Sequence, residues 1–202
     1  MIKLKLNKYS YLRKILKIST PTMERIKLHD KVFEVSIPSE KIQEAVRKVA
    51  EQISRDYNGD DCPVFLSVLN GSFMFTADLL KNIEFNSEIS FTKLSSYEGT
   101  STTGKVHELI GITKSLKDRI VIVVEDIIDT GTTLEKLVEI IGAQQPREVK
   151  IATFLFKPEA YKKDVKIDYI GMEIPNDFIV GYGLDYQELG RNYKDIYTLV
   201  SE

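Results

Sequence analysis

The chain has 202 residues, of which 43% are hydrophobic and 29% charged, which suits one globular domain that needs no disulfide or metal for its core. Its single cysteine, Cys62, excludes an internal disulfide and suits a reducing compartment, so we expect a cytoplasmic protein. The net charge of −2 excludes an overall positive field for nucleic acid, and no apolar run approaches the ~20 residues of a membrane-spanning helix.

The first residues differ in charge from the rest of the chain. Residues 1–23 carry six Lys or Arg and no Asp or Glu. The remaining 22 basic residues face 30 acidic ones, so the body has a net charge of −8. The lysines interrupt every apolar stretch, and the segment lacks the Arg and Ser bias of a transit peptide. We therefore predict a basic extension over 1–22, either disordered or translated upstream of an alternative start at Met23, and a single domain over 23–202.

Strand and helix patterns alternate through the first half of the body. Apolar residues recur every three or four positions from Ser39 onwards, which predicts an amphipathic helix with Ser39 as its N-cap. The apolar run over 63–69 predicts a strand, and it is followed by a tight loop and a helix over 73–80. A strand over 89–94 then leads into a polar stretch, 95–104, which is either a mobile lid or a surface loop.

The strongest strand pattern is the β-branched run RIVIVV over 119–124, which we predict to end at Glu125. A continuous apolar run indicates a strand covered on both faces, as in a parallel sheet. A helical pattern that stops at Gly142 and a strand over 149–156 follow. This alternation predicts an α/β fold with a mainly parallel twisted sheet flanked by helices. The alternation of strand and helix patterns ends in the tail, where short strand-like pieces predict a small C-terminal subdomain formed mainly by 164–202.

Three carboxylates, on Glu125, Asp126 and Asp129, follow the central strand. Ligands of open parallel sheets bind at the carboxyl ends of the strands, which is where these carboxylates lie. They would repel one another unless a ribose diol or a metal carried by a diphosphate lies between them. The segment TGTT at 130–133 offers backbone N–H groups and hydroxyls at a helix N-terminus, which suit a phosphate. Asp129 could instead only cap the helix, but two ionisable residues beside an apolar strand are costly without a function. The segment matches neither a P-loop nor a dinucleotide fingerprint.

The stretch VVEDIIDTGTT at 123–133 closely resembles the phosphoribosyl pyrophosphate motif of type I phosphoribosyltransferases. The resemblance covers roughly 24–202 and includes three further segments. VLNGSF at 68–73, with ADLL at 77–80, is similar to the family's pyrophosphate loop. Ser96-Tyr97 begins a segment similar to its flexible catalytic loop, and FIVGYGLDY at 178–186 resembles the purine hood of the hypoxanthine-guanine branch.

The resemblance implies transfer of a 5-phosphoribosyl group from phosphoribosyl pyrophosphate to N9 of hypoxanthine or guanine, with release of pyrophosphate. Glu125 and Asp126 would hold the ribose hydroxyls, directly or through Mg2+. Asp129 would be the general base that takes a proton at the purine N7. The residues implied for the 5′-phosphate are Thr130, Gly131, Thr132 and Thr133.

The resemblance also implies contacts to the base and to pyrophosphate. Lys157 would contact the 6-oxo group of the purine, Phe178 would stack on the base, and Ile179 would present backbone groups to its edge. Asp185 would bind Mg2+ and Arg191 would contact pyrophosphate oxygens. Without the resemblance, Lys157 reads as a solvated lysine, Phe178 as a core residue and Asp185 as a turn residue.

The remaining implied substrate contacts are Asn70 and Gly71 in the pyrophosphate loop and Ser96 and Tyr97 at the start of the flexible loop. Asn70 stands where the family often has Lys, so a side-chain charge on pyrophosphate is missing, and the peptide bond before it is a candidate for the cis form. Thr132 stands where some relatives carry Lys.

Three alternatives stay open at this point. A phosphoribosyltransferase for xanthine or a pyrimidine would share the motif, and so would a nucleotide-responsive regulator that binds RNA or an inactive structural relative. The acidic body argues against RNA, and each implied site residue is chemically competent. The family commonly forms dimers or tetramers, so we expect a homodimer or homotetramer.

Overall fold

The computed structural model describes residues 24–95, 107–112 and 114–200. Predictions outside these ranges are the extension over 1–22, the polar stretch from residue 96 onwards, and the substrate contacts of Ser96 and Tyr97. None of the helices within the ranges is both long and apolar enough to cross a membrane.

Helices and strands alternate through the described chain. The helices are α1 (Ser39–Asp56), α2 (Phe73–Lys81) and α3 (Thr132–Gly142). The strands are β1 (Arg25–Leu28), β2 (Lys31–Ile37), β3 (Val64–Val68), β4 (Glu88–Ser95), β5 (His107–Ile110), β6 (Ile120–Ile128), β7 (Glu148–Phe156), β8 (Tyr169–Glu173), β9 (Ile179–Val180) and β10 (Ile196–Leu199). The helices and strands predicted between residues 39 and 156 are present, with ends that differ by a few residues. The strand-like pieces predicted in the tail are shorter or shifted in the structure.

The main sheet has the strand order β5-β4-β3-β6-β7-β8. Five of these strands are parallel, and β5 pairs antiparallel with β4. Helices α1 and α2 cover one face of the sheet, and α3 covers the other. Strand β6 lies inside the sheet, and its residues from Ile120 to Val124 are buried on both faces, which explains the continuous β-branched run. The predicted α/β fold with a mainly parallel sheet is confirmed.

The central strand is longer than the sequence predicted. It continues beyond Val124 to Ile128, so the prediction that it ends at Glu125 was wrong. Its continued pairing with β7, from Glu125 opposite Thr153 to Ile128 opposite Phe156, explains the difference. The acidic pair therefore stands on a strand, whose backbone is held more rigidly than that of a loop.

The predicted N-cap of α1 was also wrong. Pro38 occupies the N-cap position, and Ser39 begins the helix. The backbone N–H of Ser39 donates to Asp195 Oδ1 over 2.6 Å, so a carboxylate 156 residues away satisfies a free donor of the first turn.

A second sheet, with the order β1-β2-β10-β9, is antiparallel. The tail supplies only two of its strands, because Arg25–Leu28 and Lys31–Ile37 supply the others. Tyr169–Glu173 instead extends the parallel sheet by pairing with β7. The second sheet therefore combines the tail with the N-terminal hairpin, which no sequence motif marked as part of it. The subdomain formed mainly by 164–202 stays a prediction. The two sheets share a core, in which Ile179, Tyr182 and Ile196 cluster with α1.

Candidate active site

The carboxyl ends of β3, β6 and β7 converge with a loop of the second sheet. A Cβ atom added to Gly71 would lie 1.5 Å from Asp126 Oδ2, so only glycine fits beside this carboxylate. Gly183 has a φ of 100°, and a Cβ atom there would lie 2.0 Å from the carbonyl oxygen of Gly71. The loop over 68–73, called the pyrophosphate-like loop below, is thus packed between the end of β6 and the loop after β9 in the second sheet. The peptide bond between Leu69 and Asn70 is cis.

Glu125 and Asp126 form an acidic pair at the end of β6. Glu125 is only 6% exposed, and burial, followed by the charge of Asp126, raises its pKa well above the usual range. Burial also raises the pKa of Asp126 to about 6, although the charge of Arg191 opposes the shift. Two carboxylates that are costly to ionise here favour a hydroxylated or cationic ligand.

The carboxylates suit Mg2+ only in combination with a substrate. In the described ranges, no three His, Cys, Asp or Glu side chains lie close enough together to hold a metal. Asp185 instead pairs with Arg191, at 2.7 Å between Oδ1 and Nη2, and accepts the backbone N–H of Glu188 over 2.7 Å. Mg2+ commonly binds through one or two carboxylates plus phosphate oxygens and water, so the donor chemistry of Glu125 and Asp126 fits it.

A phosphate-sized cradle follows the acidic pair. Gly131 is the N-cap of α3, with a left-handed φ of 81°. A Cβ atom there would also lie 2.5 Å from the ring of Tyr161, so both backbone and packing require glycine. A cavity of about 120 Å³ lies along this segment. Its lining includes Glu125, Asp129, Thr130, Gly131, Thr132 and Thr133, so the residues predicted to bind the 5′-phosphate lie together beside the acidic strand.

Lys157 lies beside Asp129. It is 8% exposed, so the reading as a solvated lysine was wrong. Its Nζ lies 3.4 Å from Asp129 Oδ2 and donates to Asn176 Oδ1 over 3.2 Å. The sequence reasoning missed Asn176, because an Asn after Pro175 looks like an ordinary turn residue. The ammonium group of Lys157 and the carboxylate of Asp129 therefore lie side by side. A heterocyclic ligand with an oxo group and a ring N–H could contact both groups at once.

Phe178 follows two residues after Asn176 and is 44% exposed, so it is not a core residue. Its ring is supported by those of Phe33 and Tyr186, at centroid distances of 6.0 and 5.7 Å. Lys31 Nζ lies 5.6 Å from the Phe178 ring centroid. Ile179 is buried and pairs with Thr198 in the second sheet. The supporting residues from β2 carried no signal in the sequence, since only the tertiary fold brings that hairpin here.

Arg191 lies on the side of the pyrophosphate-like loop that faces the second sheet. Besides pairing with Asp185, it donates from Nη1 to the carbonyl oxygen of Gly183 over 2.9 Å. Its Nε is buried and has no hydrogen-bond partner in the described part of the chain. An unpartnered buried donor of this kind is expected at a ligand site.

A parallel sheet with an acidic strand end, a phosphate cradle and an aromatic hood defines a phosphoribosyltransferase. The family described as "Phosphoribosyl transferase domain" matches residues 38–187, and the chain belongs to this family. It is 39% identical over 176 residues, 87% of this chain and 98% of the relative, to a hypoxanthine-guanine phosphoribosyltransferase of Staphylococcus aureus (strain Mu50 / ATCC 700699).

Solved structures of phosphoribosyltransferases are also similar to this chain. A hypoxanthine-guanine phosphoribosyltransferase of Bacillus anthracis matches with a TM-score of 0.78 and 42% identity, over 85% of this chain and 99% of that chain. A hypoxanthine phosphoribosyl transferase of Trypanosoma cruzi matches with a TM-score of 0.78 and 32% identity, over 87% of this chain and 95% of that chain. The resemblance inferred from the motifs is thereby confirmed.

Proposed function

We propose that this enzyme serves purine salvage by transferring 5-phosphoribosyl from phosphoribosyl pyrophosphate to N9 of hypoxanthine or guanine, giving IMP or GMP and pyrophosphate. The contact between Lys157 and Asp129, 3.4 Å apart, is the observation that carries the proposal. A 6-oxopurine presents an acceptor at its 6-position and a proton at N7, which match a buried ammonium and a carboxylate side by side.

The sugar phosphate would lie along the end of β6. The hydroxyl and N–H groups of Thr130, Gly131, Thr132 and Thr133 suit the 5′-phosphate at the N-terminus of α3. Glu125 and Asp126 would accept hydrogen bonds from the ribose hydroxyls, directly or through Mg2+. Their raised pKa values support this role, because a carboxylate in a dry site gains from a donor or a cation.

The proton transfer is assigned to Asp129. As N9 of the purine bonds to C1′ of the ribose, the bond from C1′ to the diphosphate oxygen breaks, and Asp129 takes the proton at N7. Lys157 would leave Asp129 for the 6-oxo group and keep its hydrogen bond to Asn176, so that Asp129 is free to face N7. Phe178 would stack on the base, and the backbone of Ile179 would meet its edge.

The diphosphate would lie against Asn70 and Gly71, with Arg191 on its far side. Mg2+, when bound by Glu125, Asp126 or Asp185 together with substrate oxygens, would neutralise part of the leaving-group charge. Arg191 serves the same need through its unpartnered Nε. Ser96 and Tyr97, which lie outside the described residues, would add further contacts to the substrate.

The test is pyrophosphate release from phosphoribosyl pyrophosphate and Mg2+, with hypoxanthine, guanine, xanthine, adenine and uracil supplied in turn. We expect turnover with 6-oxopurines and a kcat lower by about 10²- to 10⁴-fold for Asp129→Asn, because the general base is lost. Asp60→Asn is the matched control, since Asp60 is exposed and lies before β3 at the opposite end of the sheet.

Other results would point elsewhere. Turnover with xanthine or uracil alone would replace the proposed substrates and keep the enzyme class. Binding of phosphoribosyl pyrophosphate without turnover on any base would contradict the proposed reaction and favour a nucleotide-responsive regulator.

We also propose that the enzyme is a homodimer or homotetramer in the cytoplasm. Phe73 at the start of α2 and Ile89 and Phe91 on β4 are each about 40% exposed. Large apolar side chains exposed on neighbouring elements suit burial between subunits. The lone Cys62 is free and compatible with a reducing cytoplasm.

A further inference from the structure

A lysine outside the predicted site contacts the pyrophosphate-like loop. Lys93 lies near the C-terminal end of β4, and its Nζ donates to Asn70 Oδ1 over 3.3 Å. The backbone N–H of Leu69 donates to the carbonyl oxygen of Thr92 over 2.8 Å, so the start of the loop is tied to β4 beside this lysine. The contact connects residues 23 positions apart and belongs to no motif in the sequence.

The sheet register places Lys93 on the face that carries the loop and α2. Phe65 pairs with Ile89 and Ser67 with Phe91 in the parallel strands β3 and β4. Side chains alternate along a strand, so Lys93 shares the face of Phe65, which packs with α2. Helix α2 begins at Phe73, directly after the loop. The ammonium group of Lys93 and the N-terminus of this helix therefore favour an anion at the same place.

The charge of Lys93 is not balanced by a carboxylate within the described ranges, where its one polar side-chain partner is the neutral Asn70. The other cations of the site differ in this respect, since Lys157 pairs with Asp129 and Arg191 with Asp185. Lys93 is also partly buried, which makes an unpaired charge costly and an anionic ligand favourable.

We propose that Lys93 binds the diphosphate of phosphoribosyl pyrophosphate and the pyrophosphate product, supplying the charge that the neutral side chain of Asn70 lacks. The inference rests on the proposed function and adds a substrate-binding residue to it. Lys93 approaches the loop through Asn70, whereas Arg191 approaches through Gly183, which lies against Gly71. The leaving group would thus meet a cation on each side of the loop.

The first test measures binding of inorganic pyrophosphate with Mg2+ by isothermal titration calorimetry. Lys93→Met keeps the length of the side chain and removes its charge. We expect it to weaken pyrophosphate binding by about tenfold or more and to raise KM for phosphoribosyl pyrophosphate, with an unchanged KM for hypoxanthine. Lys93→Arg should bind nearly as wild type. Lys27→Met, on the exposed side of β1, is the control and should change neither value.

A second test separates a charge on the substrate from a purely structural hold on Asn70. Asn70→Lys in the Lys93→Met background returns the charge to the loop and should restore most of the lost pyrophosphate affinity. A structural role predicts no such rescue. Lys93→Gln keeps a hydrogen-bond donor to Asn70 without the charge, and should weaken pyrophosphate binding as Lys93→Met does.

Two results would overturn the inference while the proposed function stands. One is a wild-type enzyme that turns over 6-oxopurines while Lys93→Met binds pyrophosphate with wild-type affinity. The other is a loss in Lys93→Met that Asn70→Lys does not restore and that Lys93→Gln does not share. A wild-type protein that neither binds pyrophosphate nor releases it would overturn the proposed function and the inference together.

Discussion

Asn176 is a residue whose importance appears only in the fold. Its Oδ1 accepts a hydrogen bond from Lys157 Nζ, which also lies 3.4 Å from Asp129. A lysine with two acceptors can leave the carboxylate without losing every partner. Asn176 is therefore expected to position Lys157 for the base while Asp129 is kept free for its proton.

Asn176→Ala tests this positioning role. Lys157 would keep Asp129 as its single side-chain partner within the described chain. We therefore expect kcat/KM for hypoxanthine to fall about 10- to 100-fold, the value of roughly one hydrogen bond to a charged group. KM for phosphoribosyl pyrophosphate should stay unchanged, which steady-state kinetics with each substrate varied in turn would show. Asn86→Ala, an exposed asparagine between α2 and β4, is the matched control. A uniform loss with both substrates would indicate damage to the fold instead.

Helix α1 shows how one element depends on a distant residue. Its apolar stripe was readable because Ile42, Val46, Val49 and Ile53 recur with helical spacing, and all are buried. Its cap was not readable, since the buried Asp195 reaches Ser39 from the start of β10. Asp195 thereby connects the first helix to the second sheet.

Asp195→Ala should lower the free energy of unfolding by about 1–2 kcal/mol, because it removes a charged cap from the first turn. Asp195→Asn keeps an acceptor oxygen and should lose less. Urea unfolding followed by circular dichroism measures both, with the exposed Asp164→Ala as control. Equal stability of Asp195→Ala and wild type would show that the 2.6 Å contact contributes nothing net.

The acidic pair makes the stability of the whole ligand-free molecule depend on pH. Folding raises the pKa of Asp126 from 3.8 to about 6, so the folded state holds a proton that the unfolded chain has lost within that window. Unfolding then releases a proton, and this contribution to the free energy of unfolding falls as pH rises. This contribution to the free energy of unfolding is about 3 kcal/mol below about pH 4, and it is lost above about pH 6.

Asp126→Asn is the variant that isolates this effect, because it keeps the shape of the side chain beside Gly71 and cannot ionise. We expect the stability of the variant relative to wild type to increase by about 2–3 kcal/mol between pH 4 and pH 7 without Mg2+. Urea midpoints at each pH measure the difference. A constant difference across this range would mean that Asp126 ionises normally in the folded enzyme.

The sequence alone determined the fold class and the chemical character of the site. A covered parallel strand requires a continuous β-branched run, and a phosphate cradle at a helix N-terminus requires small and hydroxylated residues in consecutive positions. Both are local requirements, so 119–124 and 130–133 display them directly. The family followed from such local segments, because each motif that resembles it consists of consecutive residues.

Only the tertiary structure decided the features that join distant segments. The hairpin of β1 and β2 completes the second sheet and supports Phe178, while Asp195 caps α1 and Asn176 holds Lys157. Lys93 reaches Asn70 across neighbouring strands in the same way. None of these residues follows a local pattern, because its partner is chosen by proximity in space. A contact between segments far apart in the chain exists only after the hydrophobic core has brought them together.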